Sequence, residues 1–248
     1  MIRNLLFSNT RRIVHVMSAK AQSKKPLRVA TFNVLAPCYN WIRYRIVKLK
    51  RTGFKMDGLA ILVDRSINIM AVSPIHFNDV NRRVALLVHL LLPEDGEVIL
   101  MTTHLTYCSN YIDQYLRMSQ IKKVKNEIES YQKKNNLEHV PVLLAGDFNG
   151  CPEDAVYNHV IESGFMSSYK TVHNREPGVT HRVYNGEEIL VDYIFYRTSS
   201  PSSLVPRQSM VLPAEYSDKE WPKEFTLSDH RMIMTEFELH SQDSNQQT

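Results

Sequence analysis

PVLLAGDFN, residues Pro141–Asn149, is the stretch from which the fold of this 248-residue chain is best read. An apolar run of strand length ends at Gly146. Asp147 and Asn149 follow, two residues apart, so both project from one face where the strand runs out. Upstream, Val98–Leu105 (VILMTTHL) reads as a strand that ends on His104, and Arg83–Leu92 (RVALLVHLLL) as its partner across a turn at Pro93–Gly96. Between these strands and PVLLAGDFN lies the clearest helix, Asn110–Asn136. Ile112, Leu116, Ile121, Val124, Ile128 and Tyr131 recur there at helical spacing, with Lys122, Lys123, Lys125, Lys133 and Lys134 on the solvated side.

Downstream, Pro152–Ser163 reads as a short helix closed by Gly164. Leu190–Tyr196 (LVDYIFY) is a strand carrying Asp192, and Arg231–Leu239 is a strand that follows Ser228-Asp229-His230 at once. Ser199–Glu224, rich in Pro and Ser, reads as loop, and Ser241–Thr248 as a polar tail. Nearer the start, Leu27–Leu35 is a strand with Asn33 close to its end, followed by the strand patterns Ile42–Lys50, Gly58–Val63 and Ile67–Val72. Short antiparallel connections with helices inserted predict two packed sheets with helices outside, an α/β sandwich. The polar strand-end residues then gather at one edge of it.

Charge is unevenly placed. Residues 1–56 hold 13 Lys/Arg and no Asp or Glu, whereas the rest holds 17 basic and 26 acidic residues, a net of −9. The basic balance therefore belongs to the front of the chain and not to a body built to grip nucleic acid. Met1–Lys25, with Arg3, Arg11, Arg12, Lys20, Lys24 and Lys25 spaced by apolar and hydroxyl residues, fits an organelle transit peptide or the basic leader of a cytosolic or nuclear protein. The former implies a mitochondrion or chloroplast. The expected organisation is a leader over 1–25, one domain over 26–240 and a tail over 241–248. Three unpaired cysteines, Cys38, Cys108 and Cys151, indicate neither a disulfide framework nor a zinc cluster. No apolar run approaches the ~20 residues of a membrane span.

The strand-end residues match one chemistry. Phosphodiester cleavage needs an activated water, a cation on the non-bridging oxygens and a group that steadies the leaving oxygen. Asp147 is suited to orient or deprotonate the water, and Asn149 and His104 to donate to the phosphate. His230 is suited to act as base or phosphate ligand, with Asp229 fixing its tautomer from behind. Asp192 is placed to hold a histidine or a metal-bound water. Tyr107, Tyr111 and Tyr184 are candidate platforms for stacking a base.

The chain resembles the endonuclease/exonuclease/phosphatase superfamily, the DNase I-like fold, and within it the Ccr4/nocturnin/Angel branch. The matching pieces are VATFNVLAP around Asn33, DGLAILV from Asp57, RVALLVHL, TTHL, PVLLAGDFNGCPEDAVY, VTHRVYNG with VDYIFY, and LSDHRMIMTEFEL. They cover most of residues 27–240. The resemblance implies a four-layer α/β sandwich and Mg²⁺-dependent hydrolysis, with Mn²⁺ as an alternative ion. The implied substrate is a single-stranded RNA, most often a 3′ poly(A) tail, or a nucleotide phosphate. The implied catalytic residues are Asp147, Asn149, His230, Asp229, His104 and Asp192. Asn33, Asn149 and His104 are the implied substrate contacts, and Asn33, Asp147 and Asp229 the metal contacts.

One departure is marked. Members carry a Gln-Glu pair at the end of a strand soon after the Asn33 strand, and that Glu is the main Mg²⁺ ligand. Here Asn33 is followed by Ala36-Pro37-Cys38-Tyr39-Asn40-Trp41 and then by the basic run Tyr44–Arg51, with no acid before Asp57. A helix, a strand and the Glu are missing, which leaves sheet edges to be covered. Two other readings stay open: an inactive RNA- or nucleotide-binding relative, and a phosphatase of nucleotide or lipid phosphates.

Overall fold

The computed structural model describes residues 11–18, 26–34, 44–53, 57–93, 96–200, 202–216 and 228–240. Cys38, the Ala36–Trp41 run, the tail from Ser241 and leader residues 1–10 and 19–25 lie outside them. Two six-stranded sheets pack face to face. The first has the order β13-β14-β2-β1-β4-β3 and the second β5-β6-β7-β8-β12-β9. The elements of the first sheet are β1 (Arg11–Ser18), β2 (Leu27–Val34), β3 (Tyr44–Lys50), β4 (Gly58–Asp64), β13 (Ser203–Leu212) and β14 (Met232–His240). Those of the second are β5 (Asn68–His76), β6 (Val84–Leu91), β7 (Glu97–His104), β8 (Val142–Asp147), β9 (Met166–Ser167) and β12 (Asp192–Arg197). A small ribbon joins β10 (His181–Arg182) to β11 (Glu188–Ile189).

Period-2 alternation builds the central core. Val29, Ile61 and Phe237 from the first sheet meet Leu86, Val88, Leu100 and Leu143 from the second. On the far side of the second sheet lie α1 (Tyr111–Asn135) and α2 (Ala155–Glu162). They cover it with Ile121, Val124, Ile128, Val156 and Val160, packed with Ile99, Met101 and Phe195. The short α3 (Ser168–His173) completes the element list. This is the expected α/β sandwich.

Several boundaries follow from caps. Asn110 caps α1 by accepting from the Ile112 and Asp113 amides, and Asn136 ends it in left-handed backbone at φ 56°. The second helix begins at Ala155, not Pro152, because Asp154 is its cap and accepts from the Val156 amide.

Two segments differ from expectation. The stretch read as loop from Ser199 contains the ten-residue strand β13. Its Pro206 is tolerated because β13 is an edge strand and its register shifts between Pro206 and Gln208. The second is β1, which lies inside the basic leader. It inserts between β2 and β4, antiparallel to the first and parallel to the second, and so pairs strand edges that would otherwise stand open.

Candidate active site

Four strand ends converge at one edge of the sandwich. His104 ends β7 and registers with Asp147, the last residue of β8. Asp192, the first residue of β12, registers with the same Asp147 from the other side. Gly146 allows this close pairing, since a Cβ there would lie 2.3 Å from the Thr103 carbonyl oxygen. Asn33, near the end of β2, reaches across from the opposite sheet. His230 comes from the turn before β14, where its amide donates to Ser228 Oγ at 2.9 Å. Ser228 Oγ in turn donates to the Asn33 carbonyl.

The side chains form one hydrogen-bonded chain. His230 Nδ1 donates to Asp192 Oδ2 at 2.7 Å, which leaves Nε2 as an acceptor. Asn33 Nδ2 lies 3.1 Å from that Nε2 and 3.2 Å from Asp147 Oδ2. Both neighbours accept, so the amide is fixed with its nitrogen towards them. Its oxygen, Oδ1, is then left buried without a hydrogen-bond partner. His104 Nε2 lies 3.4 Å from Asp147 Oδ2. Asp147 and Asp192 are each 1% exposed, so their charges act in a low-dielectric setting.

Asn149 holds the loop rather than facing the cluster. Its side chain donates to the Leu105 carbonyl at 2.9 Å, and its own amide donates to Asp147 Oδ1 at 2.9 Å. Its backbone is left-handed at φ 50°, a conformation that asparagine tolerates. Tyr193 Oη donates to the Gly150 carbonyl at 2.9 Å and steadies the next residue.

The structure corrects the role of Asp229. It does not fix the His230 tautomer; Asp192 does, because β12 pairing brings it to Nδ1. Asp229 Oδ2 instead lies 3.4 Å from His181 Nε2, at the rim. Burial opposes its ionisation, but the His181 hydrogen bond and the neighbouring His230 outweigh that and hold its carboxyl below the usual range. His181, which sequence reasoning missed, stacks on His230 with ring centroids 4.0 Å apart and planes 6° apart. A backbone bridge joins the two residues. The only sequence signal was its place in VTHR, ahead of VDYIFY. Tyr107, Tyr111 and Tyr184 are all exposed on the surface.

The donor set bears on metal binding. The unpartnered Asn33 Oδ1 and the Asp147 carboxylate are oxygen donors of the kind a hard cation takes. Asp147, Asp192 and His230 also offer ligand atoms within 4.8 Å of one another, as do His181, Asp229 and His230. Asp192 is already bound to His230, so Asn33 and Asp147 fit the ion best. Among the described residues no helix is long and apolar enough to cross a membrane.

Comparison with known proteins agrees with the geometry. An uncharacterized calcium-binding protein of Arabidopsis thaliana is 33% identical over 184 residues, 68% of this chain and 38% of that protein. The chain thus spans about two fifths of that relative's length. The human Nocturnin catalytic domain with bound sulfate superposes with a TM-score of 0.61 at 20% identity, covering 80% of this chain and 73% of that one. ANGEL2, a 2′,3′-cyclic phosphatase in complex with adenosine-2′,3′-vanadate, gives 0.62 at 20% identity, covering 79% and 74%. The Endonuclease/Exonuclease/phosphatase family model matches residues 18–230, and the chain belongs to that family.

Proposed function

We propose that the chain is a divalent-metal-dependent phosphoesterase acting at the 3′ end of single-stranded RNA, as a 3′–5′ exoribonuclease of the deadenylase kind. The observation that carries the reading is the continuous chain Asp192–His230–Asn33–Asp147 at the strand ends. Asp147 takes the proton of the attacking water or orients it. His230, held by Asp192, offers Nε2 as a base and, once that nitrogen carries a proton, as a donor to the reacting phosphate, and His104 stands on the other side of Asp147 to donate to a phosphate oxygen. Asn149 fixes the Asp147 carboxylate through its backbone amide, and Asp229 borders the site beside His181. Asn33 and Asp147 would hold Mg²⁺, or Mn²⁺ in its place, which supplies positive charge on the non-bridging oxygens.

ANGEL2 supports a second substrate form, a 2′,3′-cyclic phosphate end. A second class of reading, an RNA-end binder without turnover, is favoured by the absence of any acid from residues 1–56. The test supplies the full chain with Mg²⁺ and two RNAs of equal length, one ending in 3′ adenosines with a free hydroxyl and one in a 2′,3′-cyclic phosphate. Shortening of the first with release of adenosine monophosphate is expected. Release of inorganic phosphate from the second alone, leaving a 2′,3′-diol, would make the chain an end phosphatase. Binding of either without turnover would leave the inactive reading in its place.

A further inference from the structure

The strand β1 brings an unexpected residue to this edge. Position 12 registers directly with Asn33 on β2 and with Leu59 on β4. Opposed positions of a ladder share one face of the sheet. On that face position 14 registers with Thr31 and Ile61, and position 16 with Val29 and Val63. Those four neighbours are fully buried. The sequence places Val14 and Val16 there, so the apolar alternation of RRIVHVMS agrees with the register. Arg12 continues the same face to the end where Asn33 meets Asp147 and His230. Arg11 and Ile13 belong to the opposite face.

A guanidinium stays charged at any working pH and matches phosphate oxygens in a two-point fork. Residues 1–56 contain no Asp or Glu, so the sequence of β1 carries positive charge and no carboxylate. From the juxtaposition of position 12 with Asn33, we propose that β1 supplies Arg12 as the phosphate-binding cation of the site, and that the chain binds a phosphate group there without a divalent ion. The proposal rests on the reading of this edge as a phosphoester site. It assigns the binding to Arg12 and leaves the hydrolytic step to the residues already named.

The test is calorimetric titration of the full chain with inorganic phosphate in excess chelator, alongside R12A, R12K and R11A. Saturable binding is expected in the wild type. R12A should weaken it by roughly tenfold or more, and R12K should weaken it less, because it keeps charge but loses the fork. R11A, on the other face, should bind as the wild type does. Each variant is first checked for a wild-type unfolding curve, and R12K serves if R12A does not fold. No saturable binding in chelator overturns the proposal, as does equal weakening by R11A and R12A, which would mean diffuse charge. RNA turnover with Mg²⁺ is measured on the same samples. Turnover without Arg12-dependent phosphate binding would sink the Arg12 assignment and leave the phosphoesterase reading standing. Arg12-dependent binding without turnover would do the reverse.

Discussion

Asp147, Asp192 and Asp229 all lie within 4.0 Å of the His230 ring nitrogens, and Asp192 alone is close enough to orient it. Asp192 Oδ2 lies 2.7 Å from Nδ1, while Asp229 Oδ1 lies 4.0 Å from Nε2. The Asp192→Asn variant keeps the shape but not the charge that holds the imidazole. It is expected to lower kcat by about 10²-fold or more. The Asp229→Asn variant is expected to cost much less. Steady-state kinetics of the two variants side by side check this, and an equal loss would return the orienting role to Asp229. The sequence motif Ser228-Asp229-His230 showed that a histidine and an acid meet here, but not which acid serves it. That choice depends on the register of β12 against β8, which places Asp192 opposite Asp147. His181 was hidden for the same reason, since only the bridge to His230 brings it to the site. Asn149 was legible as a site residue but not as a loop anchor, because its left-handed backbone turns its amide towards Leu105.

At the scale of elements, the strands ending in His104 and Asp147 and the long helix α1 were plain from periodicity, because apolar spacing and caps agree there. β13 was not, since its proline-bearing edge carries turn-like composition. β1 was not either, because a short alternating run inside a basic leader has no local signal for its partners. The structure gives it a place between β2 and β4, so deleting residues 1–18 strips both strands of a ladder. The truncated chain is expected to lose cooperative urea unfolding, and an unchanged transition would contradict the β1 pairing. Arg117 ties a different set of elements together. It is 2% exposed, its Nη2 lies 2.7 Å from Asp154 Oδ2 at the cap of α2, and its Nη1 donates to the Asn149 carbonyl. Truncation leaves Asp154 and the site loop without their partner. Arg117→Ala should cost about 3–5 kcal/mol in equilibrium unfolding. A loss under about 1 kcal/mol would mean that the pair behaves like a surface ion pair.

For the whole molecule, the second sheet carries a pH-dependent weakness away from the site. His89 on β6 is 6% exposed. Burial lowers its pKa, and Glu97, 3.8 Å away, only partly opposes that shift. A histidine with a depressed folded pKa leaves the unfolded state binding more protons. Its contribution is therefore fully present above about pH 6.5 and falls as pH drops from there towards the lower folded value. Urea unfolding across that window should show this slope in the wild type and a flatter curve in His89→Phe; identical slopes would remove His89 as the cause. The larger claim is that the two sheets exist to bring Asn33, Asp147, Asp192 and His230 to one edge for phosphoester hydrolysis. The most direct test compares cleavage of 3′-adenylated RNA by the full chain with Mg²⁺, with chelator, and in Asp147→Ala. Turnover that needs the ion and is lost in the variant is expected. No turnover by a folded wild type, or equal turnover in Asp147→Ala, would contradict that claim.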